Sequence, residues 1–174
     1  MQCAACGFID DTVTPADAAV ALRSYPRRYR AVLVRPDDED RADDVVRRPA
    51  SDGWSALDHA AHAAASLDAA AEALRMVSIQ EDPVVALAPE RREPASESTT
   101  VNQVLDRLAA AATSAAEAVG RIKGKDWDRT ARTSPDDSDD QPTTALDLAR
   151  HAVHEGVHHL RAAEAAVDEA VSSR

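Results

Sequence analysis

Aromatic side chains make up only 3 % of this 174-residue chain, glycine occurs 5 times and cysteine twice. So few rings exclude a core built on large aromatic residues, and the 44 % of hydrophobic residues must fill it with Ala, Val and Leu. Alanine orders at no side-chain entropy cost, so long Ala/Leu/Arg/Glu runs favour helices. Two cysteines in a CxxC at Cys3 and Cys6 make no disulfide framework. A surplus of positive charge is also missing. The net charge of −11 leaves no basic footprint for phosphates, which argues against nucleic acid and against an anionic membrane surface. Arg27, Arg28, Arg30, Arg47 and Arg48 form short clusters beside acidic runs. No apolar run approaches the roughly 20 residues that span a bilayer. The first residues lack the charged and apolar regions of a signal peptide, so the expected location is the cytoplasm.

What is present is helical punctuation. One domain over 1–174 accommodates the chain, with 1–13 expected to be flexible or loosely packed. A first helix is expected after Thr14-Pro15, running to about Val34, with Pro26 interrupting it between Tyr25 and Tyr29. The acidic stretch after Pro36 reads as a solvated loop or a short surface helix. A second long helix starts at Trp54-Ser55, where Ser55 and Asp58 have capping-box spacing, and runs to about Ile79. A loop over 88–98 leads to a third, which begins after Thr99-Thr100 and ends near Gly120–Gly124. A polar, acidic stretch then leads to Pro142, and Thr143 or Thr144 caps a last helix that continues almost to the C-terminus. Four long helices in this order imply an all-α four-helix bundle. The long connections at 35–53 and 80–98 can join non-adjacent ends, so up-down-up-down order is not required.

All six histidines fall in two of these helices: His59 and His62 in the second, and His151, His154, His158 and His159 in the last. Residues four apart share a helix face, so His154 and His158 can present two imidazoles to one ion. A third from a facing helix completes three ligands and leaves one position open. Leu146, Val153, Val157 and Leu160 form the aliphatic seam of the last helix, and His151, His154 and His158 form a stripe rotated from it by roughly 110–150°. His59 falls nearer the Leu67/Leu74 seam of the second helix, with His62 on its flank. Helix geometry therefore favours a shared histidine stripe over a buried cage, while spacing alone leaves a metal site open and does not choose between His59 and His62.

The segment from Gly53-Trp54-Ser55 to His62 resembles a signature of the DinB/YfiT-like superfamily, a Trp-Ser/Thr start followed by a histidine eight residues later. Residues 149–160, with His154 and His158, resemble that family's closing helix, and Trp127-Asp128-Arg129-Thr130 resembles the stretch before it. Cys6-Gly7-Phe8 and Tyr25–Arg30 resemble the start of one bacterial branch. The resemblance implies a four-helix bundle with long connecting loops and a divalent metal, zinc or nickel, on His62, His154 and His158. His59 then falls to packing or to the support of a ligand, and His151 and His159 are spare groups that can orient one.

The resemblance further implies a metal-dependent thiol S-transferase or isomerase that uses a low-molecular-weight thiol such as mycothiol. Its alternative is a non-catalytic metal-binding or interaction protein with the same bundle. The implied partners are a small-molecule thiol and an electrophile, with no nucleic acid and no membrane, and a homodimer is left open. Glu155 follows His154 directly, so HEGVH matches the zincin string; a lone bundle lacks the cleft and strand edge of those proteases. Glu155 is instead read as an acid/base residue or the support of a ligand. Cys3 and Cys6 supply half of a zinc knuckle and cannot close a tetrahedral site alone. Trp54, Trp127, Tyr25 and Tyr29 are read as packing residues.

Overall fold

The computed structural model describes residues 2–34, 39–87, 95–96, 98–133 and 142–173. The helices are α1 (Pro15–Leu33), α2 (Glu39–Arg47), α3 (Ala56–Ile79), α4 (Val101–Arg121) and α5 (Ala145–Ser172). Each of the four long helices begins with a complete capping box: Thr14 with Asp17, Ser55 with Asp58, Thr100 with Gln103, and Thr144 with Asp147. In each, the hydroxyl accepts the N3 amide while the N3 side chain accepts the N-cap amide, which satisfies two end donors reciprocally. The acidic stretch after Pro36 contains α2, the surface-helix alternative. The loop expected over 88–98 falls largely outside the described residues, as does most of the acidic stretch before Pro142.

Pro26 does not interrupt α1, which runs through it unbroken. The proline removes one helical donor, and anchors on both sides hold the helix in place. Tyr25 Oη donates to the Val153 carbonyl at 2.7 Å and Tyr29 Oη to the Gly156 carbonyl at 2.9 Å. Both rings are fully buried, edge to face. Gly156 is required here: a Cβ at that position would lie 2.6 Å from Tyr25 Cζ.

The bundle is not wound in sequence order. α1 packs against α4 and α5, α3 packs against the same two, and α1 and α3 lie diagonally opposite. Ser51 meets Glu169, and His59 meets His159, so α3 and α5 run antiparallel. Arg75 reaches Ser114 while Asp58 binds the Ala95 amide, so α3 and α4 run parallel and need the long connection between them. The core is Ala, Leu and Val from all four helices, with small residues allowing close approach. A two-stranded antiparallel pair, β1 (Thr130–Ala131) with β2 (Thr143–Thr144), delivers the α5 cap. Arg129 just before it donates to the carbonyls of Val77 and Gln80, both at 2.6 Å, and so closes the C-terminal end of α3. Trp127 packs half-buried against the core.

Residues 2–13, expected to be loose, are docked on α5. Gln2 pairs with Ile9, Cys6 is buried, and Arg161 donates to the Cys6 carbonyl. Among the described residues, no helix is long and apolar enough to cross a membrane.

Candidate metal centre

The histidines of α3 and α5 meet where the two helices cross antiparallel. A tight turn sets the α3 side. The Ala50 amide donates to the Trp54 carbonyl at 2.9 Å, and Gly53 adopts φ +83°, a conformation that favours glycine. Asp52 Oδ1 accepts the Trp54 amide at 2.9 Å. This turn places the indole over three imidazoles, with ring centroids 5.1 Å from His59, 5.2 Å from His62 and 6.0 Å from His159. Trp54 is therefore a packing residue that also walls the histidine cluster from water.

Among the described residues, two groups of donors assemble from side chains that the sequence scatters. One is His62, Glu155 and His159; the other is Cys3, Cys6, His154 and His158. Within each group the donor atoms all lie within 4.8 Å of one another. Neither group contains His62, His154 and His158 together. The expected trio is split: His62 stands with Glu155 and His159, while His154 and His158 face the N-terminal cysteines. His151 lies beside His154 on the wall of a small pocket with Phe8, Asp10 and Asp147.

In the three-donor group, Glu155 Oε2 lies 3.6 Å from His159 Nε2. That is too long for a good hydrogen bond. Two ligands about 2.0–2.2 Å from a shared ion at a tetrahedral angle stand about 3.4 Å apart. The donor set therefore fits a divalent cation such as zinc. Burial works against the charge on Glu155, but His159, with His151 and His154 nearby, outweighs it and holds the carboxyl down at about 2. The group is thus a carboxylate across the neutral pH range.

His159 is oriented from behind. Its Nδ1 lies 3.2 Å from His59 Nδ1, and His59 Nε2 lies 3.4 Å from Asp52 Oδ2. With His159 Nε2 free to bind an ion, Nδ1 carries its proton and donates to His59. His59 then carries its own proton on Nε2, facing the Asp52 carboxylate. An ion on His159 Nε2 would thereby set one tautomer in each ring, as carboxylate–histidine partners of metal ligands do. His59, expected to pack or to support a ligand, faces His159, which falls in the donor group with His62 and Glu155. Asp52 escaped the sequence reading altogether; its only signal was its place one residue before the Gly-Trp turn.

The family model described as the DinB superfamily matches residues 21–163. The chain belongs to the DinB superfamily. No curated protein matches it. Among solved structures it is similar to YfiT from Bacillus subtilis, described as a probable metal-dependent hydrolase with an unusual four-helix bundle topology. The match has a TM-score of 0.68 at 15 % identity, over 94 % of this chain and 90 % of that one. At that identity the likeness shows the four-helix bundle fold. A bundle of this superfamily with α1 and α3 on a diagonal accounts for the two long connections around α3.

Proposed function

We propose that this chain is a divalent-metal-dependent enzyme whose centre is His62, Glu155 and His159. The observation that carries the reading is the donor count: among the described residues the group has three protein donors, which leaves a coordination position open, as in catalytic zinc sites. The substrates are a low-molecular-weight thiol such as mycothiol and an electrophile, and the reaction is S-transfer or isomerisation. A bound zinc or nickel ion supplies acidity, lowering the pKa of a thiol that reaches the open position.

The residues of the chain divide the remaining work. Asp52 and His59 hold the His159 ring in one tautomer and one orientation. Trp54 excludes water from the face of His59, His62 and His159. Glu155 keeps 16 % of its side chain exposed, so substrate approaches from its side. The carboxylate and the two neutral imidazoles carry one negative charge between them, which leaves a bound dication with a net positive charge toward a thiolate.

The test is thiol consumption with a panel of electrophiles by zinc- or nickel-loaded protein, beside His62→Ala and His159→Ala. The expected result is metal- and thiol-dependent turnover that falls about tenfold or more in either variant. Ester or amide hydrolysis without thiol consumption would replace this chemistry by hydrolysis, the activity named for YfiT. Stoichiometric metal with no turnover would favour the metal-binding alternative.

A further inference from the structure

From the second donor group we infer that Cys3, Cys6, His154 and His158 form a separate, closed Cys2His2 zinc site that staples the N-terminal segment to α5.

Four observations meet there. The donor atoms of the four residues all lie within 4.8 Å of one another, and the two cysteines are not joined as a disulfide. Cys3 Sγ stands 3.9 Å from His158 Nδ1, close to the roughly 3.5 Å that separates sulfur and nitrogen ligands on one tetrahedral zinc. His154 Nε2 is buried with no hydrogen-bond partner, an orphaned lone pair or proton that an ion would satisfy. The loop itself is a preformed knuckle. The Gly7 amide donates to the Cys3 carbonyl at 2.7 Å, the Cys3 amide donates to the Phe8 carbonyl at 2.9 Å, and Gly7 adopts φ +67°.

The surroundings lock the knuckle onto the helix. Phe8 stacks on the His154 ring with centroids 5.3 Å apart and planes 17° apart, and Arg161 donates to the Cys6 carbonyl. Two thiolates and two imidazoles are a donor set that selects zinc among common divalent ions, and four protein ligands close the coordination shell. The site is structural. Its ligands His154 and His158 each directly precede a donor of the other centre, Glu155 and His159, so closing it also fixes the rotation of α5 at that centre.

Cobalt substitution tests the assignment on the full chain. Purified under reducing conditions and loaded with Co2+, the wild type is expected to show thiolate-to-cobalt charge-transfer absorption in the near ultraviolet. Cys3→Ser/Cys6→Ser is expected to lose that absorption and one equivalent of metal. His62→Ala is expected to keep the absorption, since the three-donor centre has no sulfur. Failure of the proposed enzyme would leave the cobalt–thiolate signal intact, so the two claims fail separately. No charge-transfer band in cobalt-loaded wild type overturns the site whatever the variants do. So does a Cys3–Cys6 disulfide that persists in the reduced, zinc-loaded protein.

Discussion

His159 Nδ1 lies 3.2 Å from His59 Nδ1, inside the buried contact between α5 and α3. Only one proton fits between the two nitrogens, so the tautomer of one ring dictates the tautomer of the other. His59→Ala is therefore expected to weaken metal binding by about 10–100-fold without removing a ligand. Competition titration against a chelator of known affinity measures it. Unchanged affinity would show that His59 only packs.

The tyrosine pair gives an alkaline signature. Burial pushes both phenols well above their ordinary value of 10.0. Their contribution is fully present below that value and is lost as pH rises above it, because the unfolded chain ionises first. Stability is expected to fall by about 1.4 kcal/mol per pH unit for each tyrosine until the folded phenols ionise. Urea unfolding between about pH 9 and about pH 11 checks the slope, and Tyr25→Phe should reduce it by about half.

Gly156 meets the Tyr25 ring where the chain admits no Cβ. Gly156→Ala is expected to destabilise the fold by about 1–3 kcal/mol, because α1 must shift away from α5. Chemical denaturation measures this. The gain in helix propensity, at most about 1 kcal/mol, does not offset the overlap. A neutral result would mean that Tyr25 has room to move.

Asp58 ties three pieces together: its Oδ2 accepts from the Ser55 amide and hydroxyl, and its Oδ1 accepts from the Ala95 amide at 2.6 Å. Asp58→Ala removes the N3 half of the α3 capping box and the tether of the crossover connection at once, while the Ser55 hydroxyl keeps the residue-58 amide. A loss of about 2 kcal/mol or more in unfolding free energy is expected, above that of a cap alone. Hydrogen exchange should rise at Ala95 as well as in the first turn of α3.

The caps made the helices legible. Thr14, Ser55, Thr100 and Thr144 each announce their helix locally, and local hydrogen bonds decide where a helix begins. Pro26 misled because the forces that keep α1 whole come from α5, far away in sequence. Of the proposed centre, His62, Glu155 and a four-residue spacing stand out in the sequence, whereas the choice between the two pairs that have this spacing does not. HEGVHH offers two such pairs offset by one residue, His154/His158 and Glu155/His159, about 100° apart around the helix. Which pair faces α3 depends on how α5 rolls against the bundle, and the two pairs differ by only about 100° of that roll. The cysteines were unreadable for the same reason: half a knuckle finds its other half only once the fold brings residues 3 and 158 together.

Anomalous diffraction at the metal edge, from crystals of protein purified with zinc, locates the ion among these histidines. A peak is expected about 2.0–2.2 Å from donor atoms of His62, Glu155 and His159 together. A peak shared by His62, His154 and His158, or no peak at the three-donor group, would contradict it.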